Sequence, residues 1–187
     1  MLLIGEGFEG SGANAAHINL LLGPREGPLA SAFATAAASP GPGHIPFQVV
    51  IKPNLPVKPP TLFIAKAVLR NEAHERLTWG PAQAGVAAGI TRAVLDGLLP
   101  AEAEDAWISI ALVWVDWNGD DPDAIYLNNR VATFLAVRRA LARGWPTRDE
   151  LSEGLADIGN PFYRPPSRTR HRKRKLGSSK SHVAPSE

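Results

Sequence analysis

The order in which strand-like and helix-like runs follow one another constrains this chain more than any other feature. Short runs rich in Val, Ile, Leu, Phe or Trp stand at residues 1 to 5, 17 to 22, 47 to 52, 61 to 70 and 107 to 116, each bounded by glycine or proline. Helical patterns lie between them, at 27 to 39, 80 to 99 and 121 to 144. Strands and helices interspersed without strict alternation predict a two-layer α+β domain rather than a doubly wound parallel sheet. The last helix is the most completely punctuated, with Asp121 as N-cap, Pro122 at the first helical position, arginines in its final turns and Gly144 beyond them. Four prolines in "KPNLPVKPPTL" at 52 to 62 predict a stiff, extended connection.

The length of 187 residues suits a single domain with an appendage. A composition of 44% hydrophobic and 20% charged residues is that of a chain with a real core, which excludes general disorder. Cysteine is absent, so disulfides, thiolate metal sites and a cysteine nucleophile are excluded, and a reducing compartment is compatible. The start "MLLIGEGFEG" has no basic region typical of a signal peptide, and no stretch approaches about 18 uninterrupted apolar residues. The expectation is a soluble cytoplasmic protein without a membrane partner.

The net charge of +2 divides unevenly. Residues 164 to 187 hold eight Lys or Arg against Glu187 alone, so residues 1 to 163 carry 12 basic and 17 acidic side chains, a net of −5. The basic segment has too few large apolar residues to offset the entropy of ordering, and is expected to be a mobile tail after a domain of residues 1 to 163. Such a tail is read as a solubilising extension, or as a weak electrostatic contact with nucleic acid or another polyanion. No aromatic side chain is interleaved for base stacking, which favours the first reading.

Several chemical-looking motifs lose weight on inspection. Gly5-x-Gly7-x-x-Gly10 has the letters of a dinucleotide fingerprint, but a second β-like run follows where a helix is required, so a glycine-rich turn is expected. "DWNGDDPD" at 116 to 123 has Asp121 at the place of a calcium loop's glycine and Leu127 at that of its final Glu, and reads as a turn plus helix cap. The histidines at 17, 44, 74, 171 and 182 have no ligand spacing, and no metal site is expected.

The informative signal is polar residues inside apolar strands. Residues two apart share a strand face, so His17 and Asn19 point together, as do Lys66 and Val68. Gln48 interrupts "FQVVI", and Lys66 interrupts "LFIAKAV". A lysine there is costly unless paired or solvated, so each residue alone reads as an edge or a hydrogen-bonded core group. Together they suggest the floor of a cleft. Gln83, in "GPAQ", is placed in the first turn of a helix, where free N–H groups would face outward.

These residues sit in segments that resemble the formaldehyde-activating enzymes: "IGEG" at 4 to 7, "AHI" at 16 to 18, "GPR" at 23 to 25, "PNLPVKPPTL" at 53 to 62, "GPAQ" at 80 to 83, "DDPDAIYLNN" at 120 to 129 and "NPFY" at 160 to 163. The resemblance implies a fold like the second domain of ribosomal protein S5 and a ring-shaped homopentamer with sites between subunits. It implies condensation of formaldehyde with tetrahydromethanopterin to the methylene derivative and water, with no metal required. By the resemblance, His17 is the catalytic acid, and Asn19, Gln48, Lys66, Val68 and Gln83 contact the pterin co-substrate. The family generally has aspartate where Asn19 stands, leucine at Gln48 and threonine at Val68. Losing a carboxylate two residues from His17 is expected to leave the imidazole less often protonated. The alternative is a non-catalytic paralogue that binds a pterin or a formaldehyde adduct as a sensor, carrier or partner protein.

Overall fold

A computed structural model describes residues 1–39, 41–142 and 146–159 of the chain. In chain order the strands are β1 (Leu3–Glu9), β2 (Ala16–Pro24), β3 (Phe47–Gln48), β4 (Val50–Lys52), β5 (Leu55–Pro56), β6 (Thr61–Ala65) and β7 (Trp107–Trp114). The helices are α1 (Leu29–Ala38), α2 (Glu72–Leu77), α3 (Gln83–Leu95), α4 (Ala103–Ala106), α5 (Pro122–Leu141) and α6 (Arg148–Ala156). Five strands form one mixed sheet in the order β1-β2-β7-β6-β3, with β6 and β7 parallel and the other neighbours antiparallel. The protein is therefore α+β.

Alternation along β2 decides which face is the core. Ala16, Ile18, Leu20 and Leu22 are buried in one cluster with Phe63, Val113, Val86, Ile90 and the α5 residues Ala132 and Ala136. Each large side chain hidden there contributes about 1.5 to 3 kcal/mol. Helix α5 lies directly on β1 because Gly5 and Gly7 have no side chain on that face. A Cβ at either position would come within 1.9 Å of the Ala136 or Ala132 carbonyl oxygen. Two of the three glycines of the expected turn thus serve helix packing inside a strand, and Gly10, at φ +83, makes the turn itself.

The opposite face is covered only in part. Leu29 of α1 packs with Leu62, Ile108 and Ile110, with Phe33 and Ile64 beside them. This helix adds a layer to the predicted two over part of the sheet, and apart from Leu21 leaves the β1–β2 side of that face outside the cluster.

Three predicted segments differ from what forms. The run at 47 to 52 breaks at Val49, whose N–H bonds Thr61 O at 2.9 Å while its carbonyl accepts from Val57 N at 3.3 Å. There the chain leaves the main sheet for a small β4–β5 ribbon turned by Asn54 at φ 67, so the proline-rich segment folds back instead of staying extended. The run at 61 to 70 stops as a strand at Ala65. The helix expected at 80 to 99 begins earlier: α2, a π-helical turn at Thr78–Ala82 and α3 are continuous. Asp121 caps α5 as expected, its side chain accepting from Asp123 N and Ala124 N, both at 3.0 Å, with Pro122 in the first turn. Asp116 and Asn118 make the turn before it.

Met1–Trp145 forms one compact unit and Pro146–Glu187 a second. In the second, α6 carries a capping box between Thr147 and Glu150 and buries no residue. Gly144, the boundary at 163, the basic tail and its two histidines lie outside the described residues.

Candidate active site

On the uncovered part of the sheet, strand register assembles a polar cluster. Glu6 on β1 pairs with Asn19 on β2, Phe8 with His17, and His17 in turn with Trp114 on β7. Lys66 follows β6 directly, and its N–H still bonds Val113 O at 2.8 Å, which anchors it at the level of Trp114. Its side chain crosses β7 to reach β2. There Lys66 Nζ donates to Asn19 Oδ1 at 2.8 Å and lies 3.3 Å from His17 Nδ1. The other ring nitrogen, Nε2, is 3.2 Å from Glu6 Oε1. His17 thus bridges a carboxylate and an amine.

This arrangement fixes the histidine's state. An ammonium donating to Nδ1 requires a lone pair there, so the neutral ring carries its proton on Nε2 and donates it to Glu6. Burial holds the His17 pKa below the usual 6.5, the Lys66 charge lowers it further, and Glu6 pulls it back up through charge and hydrogen bond. Burial also pushes the Lys66 pKa down to about 8, with Glu6 opposing. The expected depression of His17 is therefore present, but its leading cause is burial rather than the amide at position 19. The His17 side chain keeps 36% of its surface exposed, enough for a small electrophile to reach it. Phe8, with its ring centroid 6.3 Å away, flanks the imidazole.

Of the six residues singled out from the sequence, the protomer brings His17, Asn19 and Lys66 together. Gln48 lies on β3 at the far sheet edge, opposite Leu62, roughly 13 Å along the strand from the level of Lys66. Val68 is exposed on the loop after β6, where Trp117 Nε1 donates to its carbonyl at 2.9 Å and Arg70 lies 3.6 Å over the Trp117 ring. Gln83 is not at a free helix start. Its N–H bonds the Gly80 and Thr78 carbonyls through the π-helical turn, and its Oε1 accepts from Val50 N at 2.8 Å. It ties α3 to the β4–β5 ribbon within one protomer. A groove of about 370 Å³ lined by Thr91, Arg92, Tyr126 and Arg130 belongs to α3 and α5, on the other face of the sheet.

Glu6, Phe8 and Trp114 were missed from the sequence. The available signal was register: once the runs at 1 to 5 and 17 to 22 pair as a hairpin, a carboxylate between two glycines falls on the His17 face. Among the described residues, no group of three or more His, Asp or Glu side chains could hold a metal ion, and no helix is long and apolar enough to cross a membrane.

A small α+β protein with a carboxylate, an imidazole and an amine in line on an open sheet face has the parts of an acid–base catalyst acting on a small electrophile. Residues 4–163 match the formaldehyde-activating enzyme (Fae) family, and the chain belongs to it. It is 39% identical over 160 residues to the 5,6,7,8-tetrahydromethanopterin hydro-lyase of Methanosarcina barkeri, covering 86% of this chain and 89% of that protein. It is also 40% identical over 149 residues to the bifunctional enzyme Fae/Hps of Methanococcoides burtonii and 39% over 139 residues to that of Archaeoglobus fulgidus. The matches cover 80% and 74% of this chain but only 37% and 34% of those longer proteins.

Proposed function

We propose that this protein condenses formaldehyde with tetrahydromethanopterin, giving the methylene derivative and water. The observation that carries the reading is His17 held between Glu6 and Lys66 on an accessible sheet face, in a chain of this family. A pterin nitrogen adds to formaldehyde to give a carbinolamine, whose hydroxyl departs as water only when it receives a proton. His17 is the proposed donor, a role worth about 10² to 10⁴ in rate. Lys66 restores its proton through Nδ1, and Glu6 stabilises the imidazolium through Nε2. Asn19 fixes the Lys66 side chain.

Gln48, Val68 and Gln83 stand apart from His17 in one protomer, so a pterin touching all six requires residues from a neighbouring subunit. This supports the proposed homopentamer with sites at its seams and an S5-like protomer; a cytoplasmic setting belongs to the same reading. The test mixes purified protein, formaldehyde and tetrahydromethanopterin and follows methylene formation against the spontaneous rate. Acceleration supports the enzyme. Calorimetric pterin binding without acceleration selects the non-catalytic paralogue.

A further inference from the structure

Lys66 is placed unlike the other described lysines. The Lys58 ammonium is held at 2.6 Å by Asp105, which pushes its pKa up, and Lys52 is exposed on the ribbon. Lys66 is half-buried, and its hydrogen-bond partners at 2.8 and 3.3 Å are a neutral amide and an imidazole nitrogen. The nearby carboxylate, Glu6, is engaged on the far nitrogen of His17. With its pKa pushed down to about 8, roughly a tenth of Lys66 is free amine at pH 7. An unprotonated amine beside a proton carrier is the arrangement that condenses with an aldehyde.

We propose that Lys66 is a covalent catalytic residue that captures formaldehyde as a protonated imine. Lys66 first passes a proton to His17 Nδ1. The freed amine lone pair attacks the formaldehyde carbon, and an amine proton moves to the former carbonyl oxygen, giving a carbinolamine. His17 then protonates the hydroxyl; the carbon–oxygen bond breaks, water leaves, and the nitrogen lone pair forms the carbon–nitrogen double bond. Delivery rests on the function proposed above, with the same overall reaction and the same proton donor, but the Lys66 nitrogen replaces the pterin nitrogen as the first to add to formaldehyde. One pterin nitrogen adds to the imine carbon and its proton shifts to the Lys66 nitrogen, which leaves as free amine. The second pterin nitrogen closes the methylene bridge and returns its proton to Lys66. Carbon stays at the oxidation level of formaldehyde throughout, so no oxidant or reductant is needed.

The capture step is tested without pterin. The full chain is exposed to limiting formaldehyde and cyanoborohydride at neutral pH, and N-methylation is mapped by peptide mass spectrometry. Lys66 is expected to be labelled at least about tenfold faster than Lys52 and Lys58, because its amine is half-buried beside a proton carrier and bonded to a neutral amide. Asn19→Asp, which sets a carboxylate against the ammonium and keeps it charged, should slow Lys66 labelling and leave Lys52 unchanged. Labelling of Lys66 no faster than the other two would overturn capture, as would a folded Lys66→Arg variant that accelerates methylene formation as well as the unmodified chain. Fast Lys66 labelling in a protein that does not accelerate methylene formation would uphold capture and overturn the pterin reading instead.

Discussion

At the scale of single residues, the site is a balance between burial and paired charge. Glu6 raises the His17 pKa against burial and Lys66, so Glu6→Gln should move the imidazole titration to lower pH, read from its ring proton shifts by NMR. A midpoint that stays or rises would contradict the pairing. Lys66 links the site to stability. Its folded pKa of about 8 lies below the ordinary 10.5, so between these values the unfolded chain binds more protons and stability rises with pH. Below pH 8 the full cost of the buried ammonium is present. Urea unfolding should therefore show Lys66→Met gaining about 1 to 2 kcal/mol over the unmodified chain at pH 7, allowing for partial exposure, and less of that gain at pH 10. Strand alternation alone revealed that His17 and Asn19 share a face and that Lys66 is a costly interruption. Glu6 stayed hidden because its meaning depends on which strand pairs with β1, and local pattern does not specify pairing.

At the scale of elements, a close glycine contact seats α5 on the β1–β2 hairpin and a side-chain cap starts that helix, and both can be tested. Gly7→Ala drives a Cβ into the Ala132 carbonyl, where the obstacle is backbone and gives way only if helix and strand part. The expected loss is about 3 kcal/mol or more in chemical denaturation, and an unaffected midpoint would show that α5 does not lie where described. Asp121→Ala removes the acceptor for two N–H groups at the α5 start and should cost about 1 kcal/mol. That cap was legible because aspartate before proline carries its own geometry. The π-helical turn before α3 was not. Pro81 in "TWGPA" suggests a helix beginning, and only the tertiary placement of α2 makes the helix run through it. Local pattern therefore places Gln83 at a free helix terminus, whereas its side chain fastens the β4–β5 ribbon.

At the scale of the whole molecule, the α+β class followed from the succession of elements, whereas sheet order did not. The parallel β6–β7 pair joins strands more than forty residues apart in sequence, beyond the reach of any local signal. The same limit applies to assembly. Ile51, Leu127 and Val131 are exposed apolar side chains, and three proposed pterin contacts lie away from His17. Sedimentation should accordingly give a mass several times that of the 20.0 kDa chain; a monomer at micromolar concentration would remove the shared-site proposal. The central claim is that the imidazole between Glu6 and Lys66 moves the proton on which condensation depends. Its most direct test is the initial rate of methylene formation from formaldehyde and tetrahydromethanopterin, measured side by side for the unmodified chain and a folded His17→Gln variant. We expect the unmodified chain to exceed the spontaneous rate and the variant to lose about 10² to 10⁴ of that excess; equal rates for the two would contradict the claim.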